Sequence, residues 1–368
     1  MKVRDYTTER RQDFQVDVAY HPVVDLLLTL WVVGQQMCAD PVDDLEIGDT
    51  YFEDIVGALD ADTKTALEDL SSGEPWVSLL TLVPTIDDPG TVDDFIGYLS
   101  QHDSVDVRSR MLWLYQEFTP SETEIAAQAA AGDVDALESL LDGPAFAKAG
   151  KKHWRETLRF LLGKEPDETR DFLVGILEGT QRAAFASFER EFRPYLEADY
   201  AAKKAMANRL SPTRLVEIAS NGISIEDRQM DVPILLMPSM VARPWVVLAE
   251  SGSVYIMCYP VSDRTLASDP DAPPGWLVKL HKALGDEKRL KILRRLAVGD
   301  ATLIELSTEL DTAKSTLHHH MMLLRAAGLI RVHVGDDKRY SLRDETLPEA
   351  ATYLNHYIHP STETEERP

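Results

Sequence analysis

The stretch from Ala301 to Leu342, ATLIELSTELDTAKSTLHHHMMLLRAAGLIRVHVGDDKRYSL, leaves this chain the fewest ways to fold. Leu303, Ile304, Leu306 and Leu310 recur at helical spacing. Thr302 with Glu305 behind it is a capping box that starts this helix. Leu310-Asp311-Thr312 is a short connection. The spacing predicts a second helix over 313–327, with Leu317, Met321 and Leu324 inward and Gly328 as its stop. Leu329–Val334 and Lys338–Leu342 then alternate as two strands joined through Gly335-Asp336-Asp337. Helix, turn, helix and a two-stranded wing, in that order, predict a winged helix-turn-helix.

On the second helix Lys314, Ser315, His318 and His319 point outward, followed by Met322 and Arg325. Such a row of hydrogen-bond donors fits the major groove of DNA, so the polar members are candidates for base edges or phosphates. Thr316 either contacts phosphate or caps its own helix. On the wing, Lys338 and Arg339 are expected at phosphates or the adjacent minor groove, and Tyr340 braces the strand. The bland alternative is a small α+β subdomain with a solvated charged face.

The charge distribution supports the first reading. Residues 276–345 hold 13 Lys/Arg and 10 Asp/Glu, a net of +3, whereas the rest of the chain holds 25 and 52, a net of −27. A phosphate-binding surface therefore belongs on the C-terminal module, and the remainder is repelled by DNA. An acidic bias of the whole proteome gives the same total.

Ala283-Leu284-Gly285-Asp286-Glu287-Lys288-Arg289-Leu290-Lys291-Ile292-Leu293, Glu305-Leu306, Ser315-Thr316-Leu317 with His319-His320, Leu324-Arg325-Ala326-Ala327-Gly328-Leu329-Ile330 and Lys338-Arg339-Tyr340 resemble the ArsR/SmtB family. The resemblance covers about residues 276–345 and implies a dimeric bacterial or archaeal transcriptional repressor. It also implies that His320 packs near the core, and a glycine common in the family's turn is Asp311 here. Asp286 is expected to cap the helix Glu287–Leu296, with Leu290, Ile292, Leu293 and Leu296 as its core contacts.

In the family the terminal helices pair two protomers. Leu277 and Leu280 before the module, and Leu347, Ala351, Leu354 and Ile358 after it, recur at helical spacing. They are the candidate dimerisation residues for a homodimer on a pseudo-palindromic site. The alternative is that the stripe packs on the chain's own N-terminal domain. Metal sensing by the family's known sites finds no support here. The Leu303–Leu310 helix carries no cysteine, His356 and His359 lack the Asp and Glu partners, and His318–His320 diverge around a helix. No metal and no cofactor is expected.

Elsewhere the chain reads as mainly α (α+β). Residues 1–262 are expected to form an acidic, mostly helical sensor or interaction domain, followed by a linker over 263–275. The winged module occupies 276–345, a C-terminal helix 346–360 and a tail 361–368. Phe14–Val18 alternate as a strand, and Val23–Met37 is apolar nearly all round, which predicts a buried helix. His21 reads as a capping or packing residue before Pro22. Helices are expected through to Asn208, including single ones over 145–162 and 181–208. Leu215–Ala219, Ile234–Met237, Trp245–Leu248 and Val254–Tyr259 read as strands, with a hairpin turn at Glu250-Ser251-Gly252-Ser253.

Cys38 and Cys258, the only cysteines, give no disulfide framework. No apolar run has the length of a membrane span and the N-terminus has no signal-peptide core, so cytoplasmic residence is expected. Glycine-rich phosphate loops, nucleophile elbows and HExxH motifs are absent, which argues against an enzyme. The favoured reading is a regulator whose N-terminal domain senses a non-metal small molecule. A tryptophan-lined pocket involving Trp31, Trp76, Trp113, Trp154 and Trp245 is one candidate, with Arg155, Arg159 or Arg243 for an anionic effector. Control by a protein partner through the acidic domain is the second reading, and an enzyme with an appended DNA-binding domain the third.

Overall fold

Proline, aspartate, serine and threonine punctuate this chain, and most helices begin on one of them. Thr91 and Thr119 each close a capping box, and Asp60, Asp103, Asp133 and Ser211 each accept a first-turn amide. The structure, a computed structural model, describes residues 15–359 apart from 38–41, 43, 87–89, 115, 117, 149–151, 226–231, 252–253, 267–271 and 335–336. Cys38, the hairpin tip Gly252-Ser253, the wing tip Gly335-Asp336 and the tail 361–368 lie outside the described residues.

The elements run β1 (Val16–Val18), α1 (Val23–Met37), α2 (Asp49–Ala58), α3 (Ala61–Leu70) and α4 (Glu74–Leu79) with a 3-10 turn at Leu80–Thr85. They continue through α5 (Val92–Gln101), α6 (Ser104–Trp113), α7 (Pro120–Ala130), α8 (Val134–Leu141), α9 (Pro144–Lys148), α10 (Lys152–Leu162) and α11 (Pro166–Thr180). A π-turn at Gln181–Phe185 precedes α12 (Ala186–Ala207). Next come α13 (Pro212–Ala219), β2 (Ile223–Ile225), β3 (Ile234–Ser239), β4 (Val247–Ser251), β5 (Val254–Pro260) and α14 (Asp263–Leu266). The C-terminal part is α15 (Gly275–Leu284), α16 (Glu287–Leu296), β6 (Ala301–Thr302), α17 (Leu303–Glu309), α18 (Lys314–Ala326), β7 (Ile330–Val334), β8 (Arg339–Leu342) and α19 (Thr346–Ile358). The fold is mainly α with two small sheets, as the pattern predicts.

Two compact units result. The first comprises residues through Asp17, Lys203–Ile234 and Ser262 onward; the second comprises Val18–Ala202 and Leu235–Val261. The division differs from a cut at 262, because residues 203–234 gather with the C-terminal module.

In the second unit α1 is buried nearly all round, with Leu26, Leu27, Leu28 and Leu30 fully enclosed. His21 accepts the Val23 amide on Nδ1 at 3.1 Å, so it starts this helix. Arg108 is wholly buried and ties helix ends together, donating to the carbonyls of Lys164, Ala129 and Leu162 at 2.7, 3.1 and 2.5 Å. Asp25 is also buried: Ser239 Oγ donates to Oδ1 at 2.5 Å and the Met240 amide to Oδ2 at 3.0 Å. Burial pushes the Asp25 carboxyl up to about 6 against the pull of those bonds. In the same unit β3, β5 and β4 lie side by side in a sheet, with β4 and β5 antiparallel. Trp76 and Trp154 are core residues, while Trp113 is half-exposed. Arg159 pairs with Glu138 and Asp142, and Arg243 with Glu46, so neither is a vacant anion site.

The predicted strand at Leu215–Ala219 is instead helix α13. Ser211 caps it, Pro212 opens it, and Asn221 (φ +53°) and Gly222 (φ +110°) close it in the left-handed region. Helices α9 and α10 fall within the single helix expected over 145–162, of which 149–151 lie outside the described residues, and the predicted linker holds α14, whose Asp263 binds Lys279 at 2.7 Å.

Candidate nucleic-acid interface

The motif begins at α16, capped by Asp286, which accepts the Arg289 amide at 3.0 Å. Ile292, Leu293 and Leu296 face inward, but Leu290 is 49 % exposed. Helical spacing sets Leu290 at the margin of the stripe that Ile292, Leu293 and Leu296 define, outside the enclosed cluster. Thr302 and Glu305 form the capping box of α17, with amide bonds of 2.7 and 3.2 Å. The turn into α18 passes through Asp311 at φ +46°, so aspartate takes the left-handed position where a glycine is common. Ser307 Oγ donates to the Thr312 carbonyl at 2.7 Å and locks this turn.

Leu306, Leu317, Met321, Leu324, Ile330, Val332 and Tyr340 join Ile292 and Leu296 in one apolar cluster. Truncating a fully enclosed member such as Leu306 to alanine costs about 2–5 kcal/mol. The cluster fixes the outward face of α18, where Lys314, Ser315, Thr316, His318 and His319 are all exposed. Ala313 is the N-cap and no side-chain bond caps the helix, so Thr316 does not serve as its cap. His320 points inward and is buried. Partial burial, then the charges of Lys338 and His319, hold the His318 imidazole below its ordinary pKa.

On the wing, β7 and β8 pair antiparallel with Val332 opposite Tyr340. Lys338 is exposed, its ammonium 5.9 Å from the Tyr340 ring centre. Arg339 is half-buried and engaged: it donates to the Asp300 carbonyl at 3.0 Å and lies 3.7 Å from Glu305.

Arg325 departs from the expected face. It is buried, and Nη1 donates to the Ser220 carbonyl at 2.9 Å. Burial lowers its pKa to about 10, which leaves it charged at neutral pH. Its place on the helix is outward only for the motif taken alone; here α13 and β2 cover that side. Leu277 and Leu280 are likewise enclosed in the motif's own cluster and so are not surface residues. Leu347, Ala351 and Ile358 of α19 are exposed, while Leu354 packs partly on the cluster. Among the described residues no group of three or more His, Cys, Asp or Glu side chains is placed to hold a metal ion. No helix among them is long and apolar enough to cross a membrane.

An inward-facing apolar helix pair, an exposed polar face on the second helix and a flanking basic wing define a winged helix-turn-helix, a DNA-binding class. Residues 286–332 match the family model described as bacterial regulatory protein, arsR family. The chain is 30% identical over 80 residues to the transcriptional repressor SdpR of Bacillus subtilis (strain 168), spanning 22% of this chain and 89% of that protein. It is 35% identical over 83 residues to the uncharacterized HTH-type transcriptional regulator YceK of Bacillus subtilis (strain 168), 22% of this chain and 80% of that one. No solved structure matches the chain significantly. Through its C-terminal part, this chain belongs to the arsR family of DNA-binding transcriptional regulators.

Proposed function

We propose that the protein is a homodimeric repressor that binds a pseudo-palindromic operator and is released or recruited by a non-metal small molecule sensed through its second unit. The observation that carries the DNA-contact assignment is the exposure of Lys314, Ser315, Thr316, His318 and His319 on one helix beside Lys338 of the wing. On this reading the α18 side chains meet base edges and phosphates. Its uncapped first-turn amides also favour a phosphate. Arg339 is already engaged by the Asp300 carbonyl and the Glu305 carboxylate, which makes it the weaker phosphate candidate on the wing.

Dimerisation is assigned to α19 with the outer face of α15. Leu347, Tyr353, Tyr357 and Ile358 are exposed there, as is Val278. A groove of about 400 Å³ runs between Val278, His281, Leu354 and Tyr357. A second copy is the occupant that family membership and two-fold operators favour. The similarity to a repressor supports repression as the mode of action. A second reading, control by a protein partner, draws on the net charge of −27 outside residues 276–345.

Binding of the purified protein to DNA from upstream of its own gene, against random duplex over a salt series, tests the proposal. Footprinting of the complex belongs to the same experiment. A protected two-fold symmetric site is expected. Equal affinity for both DNAs, with and without candidate effectors, sinks the operator-binding reading. A monomeric mass at micromolar concentration sinks the dimer.

A further inference from the structure

The sheet of the winged motif is ordered β2-β7-β8-β6. Three of its strands belong to the motif, and the fourth, β2, precedes it and lies outside the matched residues 286–332. It pairs parallel to β7, Ile223 opposite Val332, and the Val332 amide donates to the Gly222 carbonyl at 2.8 Å.

Between α13 and β2, Asn221 reaches the end of the recognition helix. Its Nδ2 donates to the carbonyls of Ala326 at 2.9 Å and Arg325 at 3.3 Å. These belong to the last turn of α18, whose carbonyls lack an i+4 amide within the helix; that of Arg325 also accepts the Gly328 amide at 2.8 Å. Its Oδ1 accepts from Arg343 at 3.4 Å. Arg325 reaches back to the Ser220 carbonyl, so the two segments hold each other through reciprocal side chain-to-backbone bonds.

We propose that α13 and β2 are a built-in brace that sets the pose of the recognition helix, with Asn221 as its positioning residue. The inference rests on the DNA-binding reading above. Helix α18 has no side-chain cap at its DNA-facing start, so its direction is fixed from the packed side and from this C-terminal clamp. At roughly 20 Å in length, a tilt of about 5° about the clamped end moves Lys314 by about 2 Å. Displacement on that scale breaks hydrogen bonds to base edges, while contacts to phosphates made by long flexible side chains survive it. The clamp therefore governs specificity more than total affinity.

The test uses the full chain with Asn221→Gly, which keeps the left-handed backbone and removes only the side chain. Should that variant fail to fold, Asn221→Asp keeps the shape and loses both donated bonds. Affinity is measured for the upstream DNA and for random duplex of equal length. The ratio of the two should fall by about ten-fold, the size of a base-pair mismatch effect, with melting temperature recorded alongside. A ratio held within about five-fold of wild type overturns the inference, whatever the change in stability. A wild-type protein with no preference for upstream DNA overturns the underlying DNA-binding proposal instead, and the two failures are thus distinct.

Discussion

Glu217 of α13 and Arg331 of β7 are 114 residues apart in the chain, and the guanidinium Nε donates to the carboxylate at 2.6 Å. Arg214 binds the other carboxylate oxygen at 2.8 Å, and Arg331 also pairs with Glu345. Burial works to raise the Glu217 pKa, but the bonds from Arg331 and Arg214 outweigh it and hold it below its ordinary value of 4.5. A depressed carboxylate contributes stability above the unfolded pKa and loses it as pH falls through the folded one. Glu217→Gln is therefore expected to destabilise the first unit by about 1–3 kcal/mol at pH 7. The difference from wild type should shrink below pH 4.5, as urea melts across pH would reveal. A difference independent of pH refutes the linkage.

Two positions in the left-handed region should respond in opposite ways. A Cβ on Gly222 (φ +110°) falls 2.8 Å from the Ile330 carbonyl oxygen, so Gly222→Ala costs about 1–3 kcal/mol. Asp311→Gly relaxes φ +46° at the turn before α18, and its midpoint in urea should equal or exceed that of wild type. A loss above about 1 kcal/mol there assigns Asp311 a role beyond its backbone.

Specificity and salt dependence separate the helix from the wing. Lys314→Ala and His318→Ala are expected to weaken binding to the operator far more than to random DNA. Lys338→Ala should weaken both alike and lower the salt slope by about 1. Titrations at several salt concentrations decide it; a uniform loss for the helix variants reassigns them to the backbone.

Burial lowers the His21 pKa to about 4 despite the pull of Asp94. Folded His21 is then neutral between about 4 and 6.5 while the unfolded chain binds a proton, so its contribution to stability rises with pH across that window. Asp25, raised to about 6, titrates there with the opposite sign, so the quantity to measure is wild type minus His21→Asn. Asparagine retains a cap for α1. The difference should favour wild type increasingly from pH 4 to 6.5; a flat one sinks the assignment.

The winged motif was legible because its signals are local: a capping box at Thr302 and Glu305, apolar residues at helical spacing, and alternation along β7 and β8. What failed to read involved distant partners. Arg325 lies on a face that period alone makes outward, and only the α13–β2 segment covers it. Leu277 and Leu280 form an apolar stripe whose spacing is the same whether it meets its own core or a second copy. Leu290 lies at the margin of its helix's core stripe, outside the enclosed cluster. For α13 the five residues Leu215–Ala219 are too short to fix a period. The helix was announced at its ends instead, by Ser211-Pro212 and Asn221-Gly222.

Strand β2 also orders events during synthesis. It leaves the ribosome before β7 exists, and the stretch 235–261 between the two parts of its unit is needed by the other unit. The second unit has all its residues once Val261 has emerged, whereas α13 and β2 wait for the chain to reach Val334. Until then β2 lacks its partner strand, and Asn221 lacks the α18 carbonyls to which it donates. Pairing of β2 with β7 is thus deferred until after the second unit has had the opportunity to fold.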